Sequence, residues 1–206
     1  MLWGKIDALL PNVRPKYHRS APLEKFLLSL HAFLNDLPPI APNHPLAAQR
    51  DLQKKGVSVP YVLPQPTEDT NWKVAFEKPT DIVLVGSWAL KTNVKAKDSH
   101  CYGVDVAVTM PEVRSPPSPV LQRLTSCQSL FQEKDYLHSR FFQKRAYYLS
   151  VLAAAISGKK SGLGVNVLYE SANGDPRTTA LILRSKHGAW DIASVRRFAE
   201  RLMPHR

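Results

Sequence analysis

A chain of 206 residues, 44% of them apolar, has room for one medium-sized folded domain plus an extension. Two cysteines, Cys101 and Cys127, exclude a disulfide framework and lack CxxC spacing, which predicts reduced thiols in an intracellular protein. The start, Met1-Leu-Trp-Gly-Lys5, has no signal-peptide pattern, and the longest apolar run, Val151 to Ile156, is too short for a bilayer, so a soluble protein is expected.

The net charge of +11 favours polyanionic partners, and its distribution is uneven. Residues 1–119 hold 14 basic and 11 acidic side chains, whereas residues 120–206 hold 14 and 6. In chain order, "SAPLEKFLLSLHAFLNDLPP" repeats Leu23, Phe26, Leu27, Leu30, Leu34 and Leu37 at helical spacing, with Pro22 in the first turn and Pro38-Pro39 as the stop. Seven prolines between Pro38 and Pro66 then argue against any long regular element. That stretch reads as an extended arm or linker with a short helix around Ala47–Lys54.

The folded core is expected to begin near Trp72. "DIVLVGSW" (81–88) predicts a strand ending in Gly-Ser, and "VDVAVTM" (104–110) a second strand. "PEVRSPPSP" (111–119) predicts a loop in which Ser115 and Ser118 precede prolines. Residues Phe131 to Ser157 contain neither Gly nor Pro and predict one long helix, with Leu137, Phe141, Tyr148, Leu152 and Ala155 on one face. "GKKSGLG" ends it, and "VNVLYE" (165–170) and "TALILR" (179–184) predict two strands joined by the turn signals Asn-Gly and Asp-Pro. The fold class read from this order is α/β (α+β).

Two features carry chemistry. Gly86-Ser87 follows an apolar strand, where glycine lets the backbone approach a phosphate and the hydroxyl can donate to it. Asp105 sits among Val104, Val106 and Val108, where an unpaired charge is expensive to bury. Each is weak alone, since Gly-Ser after a strand is also an ordinary turn. "GKKS" (158–161) lacks the upstream glycine of a P-loop, and His100-Cys101 lacks a second ligand pair for zinc.

In order, these two features resemble the polymerase β-like nucleotidyltransferases. There Gly-Ser holds the triphosphate, two aspartates at i and i+2 of the next strand hold two Mg²⁺ ions, and a later strand adds a third carboxylate. Period-2 alternation puts the pair on one face. Here Ala107 stands at i+2, "TALILR" has no acid, and "VNVLYE" offers only Glu170. "VGSWALKTNVK", "VDVAVTMP" and "FQEKDYLHSRFFQKRAYYLSVLAAAI" more specifically resemble the nucleolar RNA-associated protein (Nrap) family, across roughly residues 80–185. The resemblance implies a nucleotidyltransferase-like mixed sheet with a long packed helix. With the N-terminal helix and Pro-rich arm read above from spacing and prolines, the expected division is residues 1–71 and an incomplete nucleotidyltransferase-like unit at 72–206. It implies a fragment of a longer, non-enzymatic scaffold of the small-subunit processome, acting in pre-rRNA processing and small-subunit biogenesis in the nucleus and nucleolus.

In that reading Asp105, Gly86 and Ser87 are vestigial, no catalytic residue or metal remains, and no cofactor is bound. Expected partners are processome proteins, pre-rRNA directly or indirectly, and other domains of the full-length protein; no membrane is involved. Arg140, Lys144, Arg145, Lys159, Lys160, Arg184 and Lys186 are candidates for contact with RNA or an acidic partner, Arg140 and Lys144 sharing a helix face. The alternatives are an active metal-dependent RNA nucleotidyltransferase recruiting Glu170 or an acid from an absent segment, and a general basic RNA-binding module.

Overall fold

The computed structural model describes residues 13, 15, 17, 20–94, 103–111, 131, 135, 136, 138 and 140–185, with the backbone of 191–196. Ser115, Ser118, Leu137 and Lys186 lie outside the described residues. The first helix, α1, spans Ala21–Asn35 and buries Leu23, Phe26, Leu30 and Leu34, the stripe that its spacing predicts. Ser20 sits at its N-cap but donates its hydroxyl to Glu24 at 2.7 Å.

The Pro-rich stretch holds more order than a linker. Strand β1 (Ile40–Asn43) pairs antiparallel with β2 (Val74–Phe76), and helix α2 (Pro45–Lys54) lies between them in sequence. His44 caps α2, its Nδ1 accepting from the Leu46 N–H at 3.3 Å, and Pro45 fills the first helical position, where no donor is lost. The prolines thus restrict element length without forbidding elements.

The main sheet runs in the order β3 (Asp81–Val85), β4 (Asp105–Thr109), β7 (Asp191–Arg196), β6 (Thr179–Ser185), β5 (Val165–Ser171). β4 and β7 are parallel, and the other neighbours are antiparallel, so the sheet is mixed. Strand β7 is not among the expected elements: Ala193-Ser194 interrupts its apolar pattern. Its insertion between β4 and β6 changes which strand adjoins Asp105.

The long helix α4 spans Arg140–Ser157, shorter than the expected 131–157. The reason is geometric. Lys144 Nζ lies 2.7 Å from Asp135 Oδ2, yet nine residues along one helix would separate them by about 13.5 Å of rise. The chain before α4 therefore folds back, with Tyr136 stacked on Phe141 (centroids 4.6 Å apart, planes at 16°) and Phe131 against the same ring at 5.6 Å.

Burial on α4 extends well beyond the single expected face. Ala146, Tyr147, Tyr148, Leu149, Ser150, Val151, Leu152 and Ala153 are consecutive and all buried. The helix touches β5 and β6 of the main sheet and also β2 and α2 from the N-terminal part, so it is covered nearly all round. One core cluster accordingly includes Leu23 and Leu34 of α1, Phe76 of β2, Val106 of β4, Leu152 of α4 and Leu181 of β6.

Polar contacts bind the arm to the helix. The Gln143 amide donates to the carbonyls of Val62 (2.5 Å) and Pro64 (2.7 Å) and accepts from the Val62 N–H (3.2 Å). Tyr148 donates its hydroxyl to the Glu77 carbonyl at 3.1 Å. Among the described residues no helix is long and apolar enough to cross a membrane.

Candidate functional site

The Gly-Ser turn and the strand aspartate meet. β3 ends at Val85, whose register partner on β4 is Asp105, so the residue after Val85 lies beside the carboxylate. That residue is Gly86, with φ +73, opening the single helical turn α3 (Gly86–Ala89). A Cβ at this position would lie 2.5 Å from Asp105 Oδ2. Both the left-handed backbone and the close carboxylate require glycine here.

Ser87 is committed within the turn. Its hydroxyl donates to Asn93 Oδ1, the Thr92 N–H donates to the Ser87 carbonyl at 2.9 Å, and Asn93 Nδ2 donates to the Gly103 carbonyl at 3.3 Å. Asn93 therefore ties the Gly-Ser turn to the chain entering β4, a role with no signal in the sequence. Trp88 is buried and packs edge-on to Tyr17 with ring centroids 5.1 Å apart.

Alternation on β4 places Asp105, Ala107 and Thr109 on one face and Val106 and Val108 on the other. Val106 and Val108 belong to the main core; Ala107 is only 2% exposed yet lies outside that cluster. Its register partners are Val83 on β3 and Arg196 on β7, so the strand adjoining β4 supplies no acid beside Ala107. The only acid of β7, Asp191, is at the strand's other end, opposite Arg184. The strand next to β4 is thus β7 and not the "TALILR" strand β6.

Glu170 sits on β5, with β7 and β6 intervening between its strand and β4. Three strand spacings put it about 14 Å from Asp105, too far to share an ion. Among the described residues, no group of three His, Cys, Asp or Glu side chains could hold a metal. Asp105 is half-buried and stands as the single carboxylate of this face of β4.

The basic candidates separate by environment. Lys144 is 3% exposed and paired with Asp135, which is 1% exposed, so the structure turns it inward despite its helical spacing from Arg140. Arg145 donates to the carbonyls of Arg177 (3.0 Å) and Thr179 (2.6 Å), tying α4 to the turn before β6. Arg140, half-buried, opens α4. Lys159 and Lys160 are exposed in the turn that follows α4, and Arg184 is exposed on β6, opposite Asn166. Sequence reasoning missed Asp135 and Gln143 as structural residues, because their partners become neighbours only through the fold-back and the arm.

The tyrosines of α4 are held neutral. Burial, with the nearby Asp51 carboxylate adding to it, pushes the Tyr147 phenol up to about 12. Burial likewise raises Tyr148, with Glu77 second, and Tyr61, with Tyr147 second.

Residues 42–114 and 124–204 match the family described as Nrap protein domain 1. The chain is 33% identical over 149 residues to U3 small nucleolar RNA-associated protein 22 of Saccharomyces cerevisiae, covering 72% of this chain and 10% of that protein. It is 30% identical over 173 residues to nucleolar protein 6 of Xenopus laevis, covering 84% of this chain and 13% of that protein. Against nucleolar protein 6 of Mus musculus the identity is 30% over 184 residues, or 89% of this chain and 14% of the other. The chain thus matches about a tenth to a seventh of the length of these relatives.

Proposed function

Because the chain belongs to the Nrap family, we propose that it acts in ribosome biogenesis in the nucleolus, as a nucleotidyltransferase-like module that has lost its chemistry. In this reading residues 72–206 form that module, and residues 1–71 supply the helix and arm packed onto it. The module is a non-catalytic scaffold of the small-subunit processome. It presents protein-binding and basic surfaces during pre-rRNA processing and takes no cofactor.

One observation carries this reading. On β4 a carboxylate at Asp105 is followed at i+2 by the buried Ala107, with Arg196 in register on the adjoining strand. A two-metal site needs clustered negative charge to hold its cations against water, and a single carboxylate supplies too little. The Ser87 hydroxyl, which a triphosphate would engage, is already donated to Asn93. Among the basic candidates, the exposure of Lys159, Lys160 and Arg184 supports contact with RNA phosphates or an acidic protein surface, whereas the buried pairing of Lys144 with Asp135 speaks against it there.

Incubating the chain with Mg²⁺ or Mn²⁺, labelled nucleoside triphosphates and an RNA primer should give no incorporation. Incorporation that Asp105→Ala abolishes would overturn the reading. Expressed in cells with a tag, the protein should concentrate in nucleoli and copurify with pre-ribosomal proteins and not with mixed RNAs.

A further inference from the structure

The turn between α4 and β5 carries positive charge that no neighbouring acid offsets. Lys159 and Lys160 lie in the single 3-10 turn Lys159–Ser161, and both are exposed. Among the described residues neither ammonium has a hydrogen-bond or ion-pair partner. From Tyr136 to Tyr169 the chain contains five Lys or Arg and no Asp or Glu, so no acid close in sequence compensates them. Glu170 and Asp175 lie toward the other end of the β5–β6 hairpin, roughly 20 Å along β5, well beyond the ~8 Å screening length of physiological salt. Arg184 stands at the same end of the sheet as the turn, but Asp191 of β7 is in register with it, so the uncompensated charge is that of the two lysines.

The turn is held from beneath. Ser161 donates its hydroxyl to the Ile156 carbonyl at 2.7 Å, the Gly158 N–H donates to the Ala155 carbonyl at 3.3 Å, and Leu163 packs against the core. Two of the carbonyls that end α4 are therefore already satisfied without a lysine. The outer side of the turn is bare. Gly162 and Gly164 both have φ +62, and a Cβ at either would meet nothing within 4 Å. Glycine at these left-handed positions leaves the main chain open to close approach by a bulky anion.

We propose that the α4–β5 turn binds the phosphodiester backbone of RNA, with Lys159 and Lys160 as its cations and the bare chain at Gly162 and Gly164 as its floor. An acidic protein surface fits less well. Between Ser157 and Asn166 the apolar side chains are a half-buried Leu163 and a buried Val165, so no aromatic or aliphatic anchor projects. Protein interfaces are depleted of lysine and depend on such anchors, whereas phosphate contacts need only cations and room to approach. Contact of this kind reads no base sequence. The proposal rests on the reading of a pre-ribosomal scaffold, but nucleolar location and nucleotide incorporation are separate measurements, so either can fail alone.

The probe is a fluorescein-labelled oligouridylate of about 12 nucleotides, titrated against the 206-residue chain by anisotropy at several salt concentrations. Saturable binding is expected. Lys159→Ala with Lys160→Ala should weaken it roughly fivefold or more and reduce the slope of log K against log salt by about 1.4, the value for two single-strand phosphate contacts. Gly162→Asp, which sets a carboxylate in open space at a left-handed position that aspartate tolerates, should weaken it comparably. Lys54→Ala with Lys55→Ala removes equal charge from the exposed end of α2 and should change binding by less than about twofold. Equal weakening by the α2 pair, indifference to Lys159 and Lys160, or no saturable RNA binding would overturn the proposal. So would a glutamate oligopeptide of matching charge that binds as tightly with the same dependence on Lys159 and Lys160, because the turn would then belong to an acidic protein.

Discussion

Asp105 and Asp135 occupy opposite situations to those their local sequences suggest. Asp105 stands among valines in a strand and reads as the carboxylate in need of a partner, yet it is half-buried at the rim beside Gly86. Asp135 stands in a run of charged residues and reads as surface, yet it is 1% exposed and paired with a Lys144 that is 3% exposed. Depth is a property of the assembled layers. A strand end can open onto a rim, and a polar lead-in can be folded under a helix.

Removing Lys144 should expose this contrast most strongly. Lys144→Met leaves Asp135 charged, buried and without its Lys144 partner, an expected loss of about 3–5 kcal/mol measured by urea unfolding. Adding Asp135→Leu should recover most of that loss, because a pair replaced by apolar groups no longer requires desolvation of charge. Gly86→Ala should be the next largest. The left-handed backbone alone carries about 1–3 kcal/mol, and the Cβ contact with Asp105 Oδ2 adds to it. Asp105→Ala in the same chain should relieve the contact but not the backbone term, giving partial, non-additive rescue.

Gln143→Leu tests the arm. Losing the contacts to Val62 and Pro64 should reduce stability by about 1–2 kcal/mol and speed amide exchange across residues 57–66 more than in the main sheet. Alkali should act more gradually. The folded chain holds the Tyr147 phenol near 12, against 10.0 when it is free, so the fold favours the protonated form. Its contribution is complete below pH 10 and declines as pH rises from 10 to 12, which tyrosinate absorbance followed alongside circular dichroism would register. Asp105→Asn is expected to do least, within about 0.5 kcal/mol, as befits a half-buried side chain at a rim.

Local pattern made several elements legible. The stripe of α1, the strands around 81–85, 105–109, 165–171 and 179–185, and the meeting of Gly86 with Asp105 follow from periodicity and motif order. Strand β7 was hidden by Ala193-Ser194, although its position decides that Arg196, and no acid, stands beside Ala107. Lys144 and Arg140 do lie one turn apart, but their spacing cannot reveal that the chain before α4 folds back to cover one of them.

The sequence by itself determined the identity of each side chain, the helical and strand periods, and the alanine two residues after Asp105. Only tertiary structure decided which charges are buried and which strand neighbours which. Periodicity acts between residues a few positions apart, whereas burial and strand order depend on contacts between segments far apart in the chain. The clamp from Gln143 to Val62 spans 81 positions, and no local pattern encodes it.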